Sequence, residues 1–294
     1  MNPCKRDKRK PDSYRLYSGS EHTMTILAVD KQRDKIYVAS DSRYSIGTKR
    51  IDCGTKVFST KCTIRGPFIQ SQSINVGFAF DGCVTNFFNF KNRIDFTLQN
   101  IFSDTVEDDL DQAILDLVKE EFETLCQQSE DAVDIEGDLL FFKPQVNGQG
   151  INAYCLSFNS VTRSVIIKEI TDPLTFYGSG KDPAETLLRS GTPYINIVRF
   201  LKEVIEKSGC DTIGGNIQIG ELTCDGFRVL GYQDFDVQST SFGPYYYYGS
   251  AKMKNKDHFL PLGASFLQIY TNKEQAKMAE ENTKYMADLY KNKK

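Results

Sequence analysis

Met24-Thr25-Ile26-Leu27-Ala28-Val29, the charged run Asp30-Lys31-Gln32-Arg33-Asp34-Lys35, and Ile36-Tyr37-Val38-Ala39-Ser40 read as two short β-strands joined by a hairpin turn. Apolar and β-branched residues fill both runs, and the six polar residues between them supply the reversal. Asp41-Ser42-Arg43 follows directly on the second strand. Lys56 to Thr63 and Ile74 to Phe80 continue the β pattern, so a block of strands precedes any helix.

The periodicity then changes. Asp81 is placed to cap a helix that carries Val84, Phe87, Phe88, Lys91, Ile94, Leu98 and Ile101 at three- and four-residue intervals. A second helix after Ser103 sets Leu110, Ile114, Leu117, Val118 and Leu125 on one face. Strands return at Leu139 to Phe142, Ile151 to Phe158, Val165 to Ile170 and Leu174 to Tyr177. Two more helices are expected, one near Asp182 to Arg189 and one starting at Thr192-Pro193, where Thr can cap and Pro fits the first turn. The latter would bury Ile195, Val198, Leu201 and Ile205. Asn216 to Leu222 and Phe227 to Tyr232 read as the next strands. Strands, two helices, strands, two helices, strands is the order of an α+β chain with two stacked sheets between two helical layers.

The chain has 294 residues, 36 Lys+Arg against 39 Asp+Glu, 40% hydrophobic residues and no Trp. That composition belongs to an ordinary globular protein with a real core. No window approaches a membrane span, and the N-terminus lacks the apolar stretch of a secretory signal, so a cytoplasmic location is expected. Eight cysteines are scattered without a CxxC pair and read as reduced, mostly buried thiols. With only His22 and His258, no HExxH helix or His-rich zinc cluster can be built, and a Ser-His-Asp triad would need one of two histidines near the chain ends. No metal or other cofactor is expected. A net charge of −3 gives no whole-protein attraction to nucleic acid or anionic lipid.

Residues 1 to 22 carry six basic and three acidic side chains with almost no apolar pattern, and residues 1–24 read as a flexible basic leader or propeptide. Lys5 to Lys10 is either a solvated run or a nuclear-import or nucleic-acid patch. Residues 25–232 form the main domain. Residues 233–294 read as an extension: a Tyr-rich loop over Gly243 to Tyr248, then a helix from about Lys273 that packs on its own domain or on a partner. Gly178-Ser179-Gly180-Lys181 is not a phosphate loop, because Thr175 and Asp182 occupy the positions of its first Gly and its Ser/Thr.

Thr25 to Val29, Ile36 to Arg43 and Gly54-Thr55-Lys56-Val57 closely resemble the start of proteasome β-type subunits and their bacterial relatives. Gly77-Phe78-Ala79, Phe176-Tyr177-Gly178-Ser179-Gly180 and Cys210-Asp211-Thr212-Ile213-Gly214-Gly215 resemble further landmarks of that family, in the same order. The resemblance covers about residues 24 to 232. It implies the N-terminal nucleophile (Ntn) hydrolase fold, a four-layer αββα sandwich, and assembly into a homo-oligomeric ring. The activity it implies is that of a threonine-type endopeptidase acting on polypeptide substrates, with a regulatory ATPase or other subunits as possible partners.

The chemistry of such a site suits this composition. A threonine hydroxyl is a poor nucleophile without a base, and when Thr is the first residue its own α-amine, of ordinary pKa about 7.7 to 8.0, can take the proton. No histidine is required. Asp41 lies 16 positions after Thr25, the family spacing of nucleophile and acidic partner. The resemblance makes Thr25 the nucleophile, Asp41 the group that orients Lys56, Lys56 the charge that lowers neighbouring pKa values, and Ser179 a hydrogen-bonding group near the amine. Exposing Thr25 requires removal of residues 1–24.

A second register, set by the apolar strand, puts Met24 at the nucleophile position instead, and both cannot hold. The Gly-Gly pair that opens the family's first helix and supplies an oxyanion-binding N–H is Phe80-Asp81 here, a ring and a carboxylate. The serine expected before Gly214-Gly215 is Ile213. The alternative to a hydrolase is therefore a non-catalytic structural or interaction subunit.

Overall fold

The computed structural model describes residues 25–46, 49–52, 54–67, 71–82, 84–103, 110–128, 137–146, 148, 150–194, 196–210, 212–234, 245–248, 251–254 and 266–269. Strands β1 (Leu27–Lys31) and β2 (Ile36–Ser40) form the expected hairpin, with Leu27 opposite Ser40 and Lys31 opposite Ile36. The Gln32 amide closes its turn on the Lys35 carbonyl at 2.9 Å. A small ribbon of β3 (Tyr44–Ile46) and β4 (Lys49–Ile51) leads to β5 (Val57–Arg65) and β6 (Gln72–Phe80). Helix α1 (Val84–Gln99), β7 (Ile101–Phe102) and α2 (Leu110–Gln128) precede β8 (Asp138–Pro144), β9 (Ile151–Asn159), β10 (Ser164–Glu169) and β11 (Leu174–Tyr177). Helices α3 (Lys181–Arg189) and α4 (Ile197–Lys207) are followed by β12 (Gln218–Thr223), β13 (Gly226–Asp234), β14 (Tyr245–Tyr248), β15 (Ala251–Lys254) and β16 (Phe266–Ile269).

The architecture is mixed α+β. One sheet runs β11-β1-β2-β12-β13-β14-β15, with β16 also on β13; the other runs β10-β9-β8-β6-β5-β7. Side-chain alternation along each strand divides its residues between two faces. In β8, Leu139 and Phe141 join a cluster with α1 and α2 residues such as Phe90 and Val118, while Leu140 and Phe142 join Leu27, Val38 and Phe227 from the other sheet. Both faces are buried, which is why Leu139-Leu140-Phe141-Phe142 is apolar throughout. In β1, Leu27 and Val29 face the other sheet, and Ala28, following Ile26, packs with Phe200 and Leu201 of α4. Gly77 of β6 fits this packing because a Cβ there would lie 2.2 Å from the Phe227 ring.

Several elements depart from the sequence reading. Ile101 is not on the α1 stripe but in β7, parallel to β5 and opposite Ile64. The helix stops short because the Asn100 side chain donates to the Phe96 carbonyl at 2.7 Å. Asp81, expected as the α1 cap, makes no side-chain hydrogen bond among the described residues. Helix α4 starts not at Thr192-Pro193 but after Asn196, whose side chain accepts from the Arg199 amide at 2.9 Å. Thr192 instead bonds through its amide to the Leu187 carbonyl at the end of α3. Tyr245 to Tyr248, expected in a loop, pair with β13 and β15 as strand β14. The leader, Ile195 and the helix expected from Lys273 lie outside the described residues. Among the described residues, no helix is long and apolar enough to cross a membrane.

Candidate functional site

The β1–β2 hairpin brings the residue before β1 and the residue after β2 together. Asp41 sits at the end of β2, fully buried, where backbone amides converge on its carboxylate. Ile26 N–H donates to Oδ1 at 3.1 Å, and Gly214 and Arg43 N–H donate to Oδ2 at 3.0 and 3.3 Å. These donors fix the rotamer. Lys56, just ahead of β5, extends its Nζ between two oxygens: it donates to Thr25 Oγ1 at 2.6 Å and to Asp41 Oδ1 at 2.7 Å. The Tyr44 ring lies 5.6 Å beneath the ammonium. Thr25 itself is 3% exposed and its side chain meets Lys56, so the described geometry has Thr25 at this position; Met24 lies outside the described residues.

Gln218 of β12 was not singled out from sequence, yet it holds the lysine loop in place. Its Oε1 accepts from the Lys56 and Val57 amides at 2.9 and 3.3 Å, and its Nε2 donates to the Gly54 carbonyl at 2.6 Å. A lone Gln between Ile217 and Ile219 is its only signal in the sequence.

Ser179 reaches the site through the backbone: its Oγ donates to the Thr25 carbonyl at 3.4 Å, beside the Gly180 amide at 3.1 Å. Gly178 takes φ +79, and a Cβ there would lie 2.3 Å from the Thr25 carbonyl oxygen and 2.9 Å from Asp81 Oδ2. Glycine is thus required for this loop to close on Thr25.

The Phe80-Asp81 pair divides. The Phe80 ring does not face the site; it is buried in the helical core, stacked on Phe87 at 5.3 Å. Asp81 does approach it, 8% exposed. Ile213 is buried among α4 residues and provides only its carbonyl, which accepts from Arg43 Nη1 at 3.3 Å.

Burial dominates the electrostatics. It pushes Asp41 above and Lys56 below their ordinary values, against the mutual attraction that favours both charges. A lysine so lowered can both donate to a hydroxyl oxygen and, once neutral, accept its proton. Asp81 is pushed up to about 7, first by burial and then by the nearby Asp138, with Lys56 opposing. Burial likewise pushes the Cys62, Cys126 and Cys155 thiols up to about 12, so they are not thiolate nucleophiles. Among the described residues, no group of three or more His, Cys, Asp or Glu side chains could hold a metal ion.

The arrangement offers a hydroxyl hydrogen-bonded to a buried ammonium, itself locked to a carboxylate held by three amides. Compared with known proteins, the chain matches no protein-family model and no curated sequence.

Proposed function

We propose that the chain is a threonine-type Ntn hydrolase of the proteasome β-type kind, cleaving peptide bonds of polypeptide substrates. The observation that carries this reading is the Lys56 ammonium bridging Thr25 Oγ1 and Asp41 Oδ1 at 2.6 and 2.7 Å, on three residues from separate segments. Freed at a new chain end, the Thr25 α-amine takes the hydroxyl proton as the oxygen attacks the carbonyl carbon and passes it to the leaving amine as the C–N bond breaks, after which water hydrolyses the ester left on Thr25. Lys56 steadies the charge on that oxygen, and Asp41 keeps Lys56 in place. The three core clusters, helices against sheet, sheet against sheet and sheet against helices, support a four-layer αββα sandwich. Ring assembly, a regulatory ATPase partner and a cytoplasmic location follow from the same reading.

The test is the start of the purified chain and the effect of Thr25→Ala. A chain beginning at Thr25 whose peptide hydrolysis disappears in Thr25→Ala, with the fold unchanged, supports the hydrolase. One specific observation favours the non-catalytic alternative: the Asp81 carboxyl stands near the Thr25 carbonyl, and its charge would oppose the oxyanion that forms as the hydroxyl attacks, whatever it does for the amine. Retention of residues 1–24 on a folded, inactive protein would select that alternative.

A further inference from the structure

Asp81 is a buried ionisable side chain beside Thr25 that the Thr25-Lys56-Asp41 chain does not use. It follows directly on β6, where its amide donates to the Asp138 carbonyl of β8 at 3.0 Å. The residue is 8% exposed, and its carboxyl makes no hydrogen bond among the described residues. A carboxyl so buried is costly unless a donor meets it. The space it faces is that left by Gly178, whose Cβ would contact both Asp81 Oδ2 and the Thr25 carbonyl oxygen. The Thr25 backbone lies against residues 178 to 180, its carbonyl accepting from the Gly180 amide at 3.1 Å, and the atom that changes on cleavage is its nitrogen. Within an uncut chain that nitrogen carries a single N–H; at a free chain end it is an ammonium with three.

We propose that Asp81 is the positioning residue for the α-amine of a Thr25-led chain, its carboxylate accepting a hydrogen bond from that nitrogen. The proposal rests on the N-terminal nucleophile reading. The charged groups facing Asp81 are Asp138 from β8, Lys56 from the segment before β5 and Asp41 from the end of β2. Lys56 lowers the amine's proton affinity, and Asp81 and Asp41 raise it.

The experiment uses the Thr25-led chain labelled with ¹⁵N-threonine, its fold checked by circular dichroism, and follows the α-amine ¹⁵N shift against pH. Asp81→Asn is expected to lower the amine pKa by about 1 unit, and Asp81→Glu to restore most of it. The limb of the pH profile of peptide hydrolysis should move by the same amount. Asp81→Ser serves as a second neutral variant should Asp81→Asn not fold. An amine pKa unmoved in a folded neutral variant overturns the proposal. A shifted pKa in a chain without hydrolytic activity would leave the anchor standing and remove the hydrolase.

Discussion

Replacing Lys56 by Met removes the one cation from a buried constellation and leaves Asp41 with backbone donors alone. The side chains are 4% and 0% exposed, and breaking such a pair from one side costs about 3 to 5 kcal/mol. Three amides still reach the Asp41 carboxylate, from Ile26, Arg43 and Gly214, which sets the expected loss near the lower end, about 3 kcal/mol. The loss depends on pH. Without Lys56, Asp41 titrates still further above its ordinary value, so the unfolded chain releases that proton first, and stability falls as pH rises above about 4. Urea unfolding at pH 5 and pH 8 should therefore show the larger penalty at pH 8. Adding Asp41→Asn removes the stranded charge, and the double variant should recover about 2 kcal/mol relative to the sum of the single losses. A Lys56→Met penalty below about 1 kcal/mol at pH 8, with additive losses in the double variant, would refute the buried pair.

Asp81 gives the same logic with the group intact. An acid raised from 3.8 to about 7 in the folded chain destabilises it progressively from about pH 4 to pH 7, by up to about 4 kcal/mol. Asp81→Asn in the full chain should thus gain stability relative to the wild type above pH 7 and gain nothing below pH 4; equal midpoints at pH 8 would count against the buried acid. Gly77→Ala should cost about 1 to 3 kcal/mol, read as a shift in thermal midpoint, because its Cβ would meet the Phe227 ring at 2.2 Å. Asn196→Ala should cost about 1 kcal/mol by losing the α4 cap, whereas Thr192→Ala, away from the helix start, should cost less.

Local pattern carried much of this protein. The hairpin, Phe87, Ile94 and Leu98 of α1, the α2 stripe, and the proximity of Thr25 to Asp41 are matters of short-range spacing, since a strand-turn-strand brings its two ends together whatever the rest of the chain does. Phe88, expected on the α1 stripe, is instead 44% exposed. No local signal places Lys56 beside Thr25, because its approach depends on β5 belonging to the second sheet. What escaped depends on competition between local signals. Thr192-Pro193 has the chemistry of a helix start, but Asn196 also caps, and the Thr192 amide is drawn back to α3. Four consecutive tyrosines carry no period-2 alternation, so the pairing of β14 with β13 has no signature in the chain. Phe80 and Asp81 are adjacent in sequence, and strand alternation sends the ring to the helical core and the carboxyl to the site, a division that no single-residue reading supplies.

The central claim, a Thr25 hydroxyl activated at a free chain end, is tested most directly by covalent capture. The purified protein is treated with a β-lactone that acylates nucleophilic hydroxyls and is then mapped by peptide mass spectrometry. The adduct is expected on the Thr25 oxygen of a chain starting at that residue, and is expected to vanish in Lys56→Met. Labelling of another side chain, or none on a folded chain that begins at Thr25, would contradict it.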